Sequence, residues 1–175
     1  MAQTVSDICK KLILELPGSS GNDRRRLAHE IIDAEVGIED LSLMLHTESQ
    51  VVSRFLWLLT DIAWIRPDAV KRALPSLWKE REAINYPYQA SFAQYWLVCG
   101  VPEQDEAEAL DALFSWLRSS TTNSSTKTRS LKVLVTMMDV YPELKNELKL
   151  SLEELKETSS ISLRKLVDRT KAELR

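Results

Sequence analysis

The sequence predicts an all-α fold of stacked antiparallel helix pairs, an α-solenoid. Three observations lead to this fold class. The chain of 175 residues has only four glycines and six prolines, and the good helix formers Leu, Ala, Glu, Lys and Arg are plentiful. Apolar residues recur at helical spacing in one segment after another, and no segment is typical of a strand. A unit of apolar helix, turn with a proline and an acid, and amphipathic helix occurs three times.

The N-terminal capping helices of this fold are predicted within residues 1–47. The apolar spacing predicts a first helix over 4–16, which the following Pro-Gly-Ser segment ends. Asn22 or Asp23 is predicted to cap a second helix that reaches about residue 36. Gly37 then stands where a left-handed C-cap is expected, before a short helix around residues 39–45.

Three helix pairs are predicted within residues 48–158, and a C-terminal capping helix within residues 159–175. The whole chain, 1–175, is predicted to form one domain. Residues 119–126 are all Ser, Thr or Asn, and this composition predicts a flexible loop. Pro75 is expected to kink the helix that contains it. Together with the capping helices of residues 1–47, the predicted total is about 8–10 helices. Within residues 48–175 the predicted helices span 49–65, 67–82, 89–98, 103–118, 127–141, 143–157 and 159–174.

The repeat is visible as internal similarity. Residues 54–79 align on residues 129–154 at an offset of 75, so that Pro67 falls on Pro142. Pro102 lies between them, 35 residues after Pro67 and 40 residues before Pro142. A single helix pair cannot bury both of its apolar faces, whereas stacked pairs share a continuous core. We therefore expect the first helix of each pair to be sandwiched and the second to show one face to water.

The turns carry a resemblance to a known class of proteins. Ile65-Arg66-Pro67-Asp68, Val101-Pro102-Glu103 and Val140-Tyr141-Pro142-Glu143, with their flanking apolar stripes, resemble the repeats of HEAT and armadillo proteins. The resemblance covers about residues 49–157. It implies a right-handed, curved superhelix whose inner face, lined by the second helices, binds a partner. The expected function is a non-catalytic protein–protein interaction module or scaffold that binds its partner on this concave face.

Trp57, Asp61 and Trp64 suggest an alternative function. They stand at positions i, i+4 and i+7, so one side of a helix carries all three. Tryptophan with aspartate in a helical-repeat groove resembles the alkylpurine DNA glycosylases of HEAT-like fold, in which aromatic residues and an aspartate on the concave surface handle damaged DNA. The competing interpretation is structural, with Asp61 paired because an unpaired buried carboxylate is costly.

Two further groups are candidate partner-binding residues. Arg24, Arg25 and Arg26 fall in the first turn of a predicted helix, where cations oppose the helix dipole. A phosphate or an acidic partner would explain them, and a solvated basic face is the alternative. Tyr86 and Tyr88 flank a turn, where exposed tyrosines favour an interface. Aromatic residues on one face of the next helix predict core positions: Phe92, Tyr95 and Trp96.

No catalytic, metal or cofactor site is predicted. His29-Glu30 with Asp33 has helical ligand spacing but no evident third ligand, so these are expected to be surface residues. Four glycines are too few for a phosphate-binding loop. Cys9 and Cys99 are predicted to be reduced, buried thiols.

Charge and hydropathy shape the expectation for partners and location. The net charge of −3 disfavours a nucleic-acid partner but leaves a local basic patch open. No run approaches the roughly 18 apolar residues of a membrane-spanning helix, and no signal-peptide pattern opens the sequence. We expect a cytoplasmic protein with a protein partner and no membrane contact; self-association stays open.

Overall fold

The computed structural model describes residues 4–155 and 160–175, and every regular element among them is helical. No strand occurs in these residues, so the all-α prediction is confirmed for them. The predicted helix ends at 157 and 159 lie outside the described ranges. The α-helices are α1 (Val5–Glu15), α2 (Gly21–Asp33), α3 (Ser49–Ile65), α4 (Pro67–Lys79), α5 (Gln89–Cys99), α6 (Glu106–Arg118), α7 (Ser124–Met138), α8 (Leu144–Glu154) and α9 (Ile161–Glu173), and the 3₁₀ helices are Ile38–His46, Arg81–Ala83 and Glu103–Asp105.

The helices group into two compact units. The first unit ends at Gln104 and contains α1 to α5, and the second begins at Asp105 and contains α6 to α9. The boundary falls inside the second predicted helix pair. The organisation as one repeat domain of three pairs stays a prediction.

Helix α3 is the centre of the first unit. It packs against α2, α4, α5 and the 3₁₀ helix Ile38–His46. This agrees with the expectation that the first, apolar helix of a pair is sandwiched. Helix α4 shows the predicted amphipathic pattern, with exposed Lys71 and Arg72 opposite its buried residues. The buried residues of α3 are Val51, Val52, Phe55, Leu56, Leu58, Leu59, Ile62 and Ala63.

An aromatic cluster joins α4 to α5. Trp78 meets Phe92 and Trp96 edge-on, with ring centroids 5.1 and 4.9 Å apart. Such edge-to-face pairs add to the stabilisation that comes from burial alone. The hydroxyl of Tyr95 donates to the backbone carbonyl of Leu56 on α3, so this buried polar group is satisfied. The core prediction for the three aromatic residues of α5 is confirmed.

The second unit is held by apolar contacts and by one arginine. Helix α6 packs on α7 and α8, and α9 packs on α7 and α8. Arg118, at the end of α6, donates from its Nε to Ser151 Oγ and from a terminal nitrogen to Glu147, both at 2.9 Å. Tyr141 hydrogen-bonds to Glu106. The fully or nearly fully buried leucines of this unit are Leu113, Leu117, Leu131, Leu134, Leu148, Leu152, Leu163 and Leu174.

Both predicted ends of α2 are wrong. Ser20, rather than Asn22 or Asp23, is the N-cap: its side chain accepts from the Asp23 N–H, and the Asp23 carboxylate accepts from the Ser20 N–H. This reciprocal pair satisfies two free donors, which a single cap cannot do. At the other end Glu35, rather than Gly37, has the left-handed conformation, with φ 55°.

The loop predicted over 119–126 is shorter than expected. Helix α7 begins at Ser124, inside that segment. The Asn123 side chain caps it by accepting from the Thr126 N–H at 2.8 Å. Asn, Ser and Thr favour both loops and N-caps, so the polar composition alone did not separate the two. The predicted short helix before α3 is a 3₁₀ helix, Ile38–His46.

Candidate functional site

One side of α3 exposes two large aromatic residues. Because α3 runs without interruption from Ser49 to Ile65, positions i, i+4 and i+7 lie along the same side. Trp57 is 45% exposed and Trp64 is 68% exposed. Asp61, between them, is half-buried. The neighbours of α3 therefore cover its apolar side and leave both tryptophans partly in water.

An ion pair connects this strip to α2. Arg24 Nε lies 3.2 Å from Asp61 Oδ2, and only 15% and 22% of the two side chains are exposed. Helices α2 and α3 pack closely, which brings together residues 37 positions apart. The pair supplies the partner that a half-buried carboxylate requires.

Two arginines cover the ring of Trp57. The guanidinium carbon of Arg24 lies 5.2 Å from the ring centroid, and that of Arg54 lies 4.9 Å from it. Such cation–π contacts contribute about 0.5–1 kcal/mol each at exposed sites. We call the group formed by Arg24, Arg54, Trp57, Asp61 and Trp64 the α2–α3 face. Its contacts hold Trp57 and both arginines in a defined arrangement.

The arginine triplet of α2 is divided between different partners. Arg24 belongs to the α2–α3 face, and Arg25 donates to the side chain of Asn22. Arg26 donates to Glu15 at 2.7 Å and to Glu30 at 2.6 Å, and these two bonds raise the pKa of its guanidinium. The structure does not bring Arg26 to the α2–α3 face through any of these contacts.

The tyrosines of the predicted exposed turn are half-buried. Tyr86 and Tyr88 are both of intermediate exposure. The ring of Tyr88 lies edge-on to Trp78 at 6.2 Å and to Phe92 at 5.8 Å, as an extension of the aromatic cluster. Burial raises the pKa of Tyr88. Tyr88 is therefore partly covered by α4 and α5, and an interface role for the two tyrosines stays a prediction.

Sequence reasoning missed Arg54 as a site residue. Arg54 was considered only as part of the internal alignment, in which it falls on Arg129. The available signal was its spacing of three residues from Trp57, which places a cation beside the ring on a helix. In the described ranges Arg54 has no carboxylate partner, so its charge faces Trp57 and solvent.

The remaining chemical candidates do not form a site. Within residues 4–155 and 160–175, no group of three His, Cys, Asp or Glu residues could hold a metal ion. His29 is exposed, and Glu30 is engaged by Lys11 at 2.5 Å and by Arg26. Cys9 and Cys99 are free thiols but are half-buried rather than buried, and desolvation raises the pKa of both, that of Cys99 to about 11.

Comparisons of the chain with protein-family models, with curated protein sequences and with solved structures each found no match. The all-helical architecture is compatible with the helical-repeat class. None of the helices in the described part of the chain combines the length and the apolar character needed to cross a bilayer.

Proposed function

We propose that the chain is a non-catalytic protein-interaction module and that the α2–α3 face is its binding surface. The observation that carries this proposal is the exposure of Trp57 and Trp64, 45% and 68%, on one side of a helix whose opposite side is buried. Tryptophan and arginine are the residues most enriched among those that dominate binding energy at protein interfaces. Both residue types meet on this face.

The arrangement of the face favours binding because its central groups are already ordered. The Arg24–Asp61 ion pair fixes one arginine, and the two cation–π contacts fix the ring of Trp57. A partner would therefore lose less side-chain freedom here than at a mobile surface. Trp64 supplies an exposed apolar area beside this ordered group.

Charge defines the kind of partner. On the face two arginines stand against one aspartate, and Arg54 has no carboxylate partner among the described residues. We propose a protein segment that places a carboxylate near Arg54 and an apolar side chain on Trp64. Burial of the apolar area supplies affinity, and the charge pair supplies orientation.

The repeat interpretation belongs to the same proposal. We propose that the helix pairs are HEAT-like repeats stacked as a right-handed α-solenoid, with the partner on the first helix of a pair, α3, rather than on the second helices expected to line the concave side. Support comes from the turn unit, which recurs with a proline and an acid between α3 and α4 and between α7 and α8. Pro67 occupies the first position of α4, where proline is favoured.

The second candidate is a nucleic-acid-acting protein similar to the alkylpurine glycosylases. Arginine stacked on tryptophan, as at Trp57, also suits unpaired bases. Against a catalytic role stands the ion pair of Asp61 with Arg24, which occupies the carboxylate. The substitution Asp61→Asn separates the two candidates: it would abolish base excision by a glycosylase but weaken the binding of a protein partner only modestly, because Trp57, Trp64 and Arg54 remain.

The test is a capture experiment with matched variants. Wild-type protein, the double variant Trp57→Ser with Trp64→Ser, and the control Leu14→Ser with Leu43→Ser are each incubated with lysate of the source cells. The control removes two exposed apolar residues, 82% and 68% exposed, from elsewhere in the same unit. Thermal melting confirms that all three proteins are folded, and nuclease is either added or omitted.

A protein retained by the wild type and the control but lost by the tryptophan variant supports the proposal. Its Kd for the tryptophan variant, remeasured with purified partner, should rise by about thirtyfold or more, as for a residue that dominates an interface. The proposal fails if both variants retain the same proteins. It also fails if only nucleic acid is retained, which supports the second candidate. If the captured partner is the chain itself, its mass in solution will depend on concentration.

A further inference from the structure

A surface cavity of about 330 Å³ lies in the first unit, apart from the α2–α3 face. One part of its wall is the segment after α2, which supplies Glu35 and Glu39; another is the α3–α4 corner, which supplies Arg66 and Arg72. Ile62, fully buried in α3, forms part of the apolar floor. Small-molecule sites usually have volumes of about 300–1,000 Å³, so the cavity suits a ligand of few atoms.

The four charged residues of the cavity have no ion-pair partner within residues 4–155 and 160–175. The acids Glu35 and Glu39 do not reach the arginines Arg66 and Arg72, although all four line one cavity. Elsewhere in the chain such groups do pair, as Arg26 does with Glu30. The cavity therefore holds two cations and two anions on different elements, each available to a ligand.

The backbone at Glu35 supports a role for its side chain. Its φ of 55° is the only positive φ of a non-glycine residue in the described part of the chain. Glycine is the residue that normally occupies this position after a helix, because a Cβ is disfavoured there. Glutamate cannot relieve the strain through the short local hydrogen bonds available to Asn or Asp. The chain thus keeps a carboxylate at the rim of the cavity in an unfavourable backbone conformation.

We propose that this cavity binds a small zwitterion with an aliphatic group, an α-amino acid or a dipeptide. The ligand carboxylate binds the guanidinium groups of Arg66 and Arg72, and the ligand ammonium binds the carboxylates of Glu35 and Glu39. The aliphatic group packs on Val36 and Ala69, which line the cavity and are partly exposed. Hydrogen bonds between ionised partners are the strong ones in proteins, and guanidinium groups match the planar carboxylate well.

The balance of charge excludes simpler ligands. A phosphate or another dianion would be attracted by two arginines but repelled by two glutamates. A simple cation would be attracted by the two glutamates but repelled by the two arginines. A ligand that carries both charges satisfies both walls.

The experiment uses four commercially available probes with the full chain. L-leucine and L-leucyl-L-leucine are the zwitterions. 4-Methylpentanoate is leucine without its amine, and 3-methylbutylamine is leucine without its carboxylate. Amide chemical-shift changes in ¹H–¹⁵N spectra detect weak binding and show whether the shifts concentrate around the cavity.

Three variants and a control test the site. Arg66→Gln with Arg72→Gln removes the cations, Glu39→Gln removes one anion, and Glu35→Gly removes the other while it relieves the backbone. Since glycine suits the left-handed conformation, Glu35→Gly should remain folded, and a thermal melt of each variant checks that loss of binding does not come from unfolding. Arg25→Gln is the control, because it removes an exposed arginine that does not line the cavity.

We expect at least one zwitterion to bind saturably, and both singly charged probes to bind about tenfold more weakly or less, since each lacks one charged contact. We also expect about a tenfold loss of zwitterion affinity in each cavity variant and none in Arg25→Gln. The proposal is overturned if neither zwitterion saturates by about 10 mM, a very weak affinity. It is also overturned if a singly charged probe binds as tightly as leucine, or if the cavity variants bind as wild type does.

Discussion

Two pairs of tryptophans in the first unit have opposite surroundings. Trp78 and Trp96 are 4% and 2% exposed and lie in the aromatic cluster between α4 and α5. Trp57 and Trp64 are 45% and 68% exposed on the outer side of α3. All four stand within α-helices. Whether such a residue is covered depends on the neighbouring helices and not on its own helix.

The difference assigns the two pairs different roles. A buried tryptophan contributes to stability through the area it removes from water and through its ring contacts. An exposed one contributes little to stability and keeps its apolar area for a partner. The predictions below therefore compare stability at the aromatic cluster with stability at the α2–α3 face.

The largest expected effect is on the stability of the cluster. Trp96→Ala should lower the free energy of unfolding by about 3–5 kcal/mol, because it opens a large cavity beside Trp78 and Phe92. Trp64→Ala should change it by no more than about 0.5 kcal/mol, as surface substitutions do. Urea denaturation followed by circular dichroism measures both. Similar losses for the two variants would refute the distinction.

The buried side should also show a characteristic dependence on alkaline pH. Burial raises the pKa of Tyr95 far above its ordinary value of 10.0, and that of Cys99 from 9.0 to about 11. The unfolded chain releases these protons first, so stability is full below pH 9 and falls as pH rises through 9–11 and beyond.

Each such proton contributes a slope of at most about 1.4 kcal/mol per pH unit. Tyr95→Phe should remove the contribution of Tyr95 to this slope above pH 10. Urea unfolding at a series of pH values measures the slopes. An unchanged slope in Tyr95→Phe would mean that the hydroxyl is not held protonated in the fold.

One exposed position should gain stability on substitution. Glu35→Gly should raise the free energy of unfolding by about 1 kcal/mol, because glycine adopts the left-handed conformation without the penalty of a Cβ. Glu39→Gly, at a position without positive φ, should not stabilise. A loss of stability in Glu35→Gly would show that its side chain supports the fold rather than a ligand.

The smallest expected effect is the coupling within the α2–α3 face. A double-mutant cycle of Arg24→Gln and Asp61→Asn should give about 0.5–1 kcal/mol, since the pair is mostly covered but not fully desolvated. The same cycle with Arg25→Gln should give no coupling. If the first cycle shows no coupling energy, the Arg24–Asp61 ion pair does not order Arg24 and Trp57 on this face.

The helices were largely predictable because their signals are local. The apolar spacing and Pro67 located α3 and α4 to within a few residues. The caps were less predictable where several suitable residues stand in a row, as at Ser20, Asn22 and Asp23. Glu35 took the left-handed conformation in place of Gly37, against the local preference, and no local rule predicts such an exception.

The site was predictable only in part, because its decisive contacts join distant residues. Helical spacing placed Trp57, Asp61 and Trp64 along one side of a helix. It could not show that this side is exposed, nor that Arg24, 37 residues earlier, pairs with Asp61. The burial of Tyr88 against Trp78 likewise depends on how the turn folds back, which spacing does not record.

The central claim is that the α2–α3 face binds a protein. The most direct measurement replaces Trp64 with a photoreactive aromatic amino acid in the source cells and, in a matched control, replaces Leu43, which is also 68% exposed. We expect light to crosslink a defined protein at position 64 and not at position 43. Crosslinks to nucleic acid alone, or the same crosslinked proteins at both positions, would contradict it.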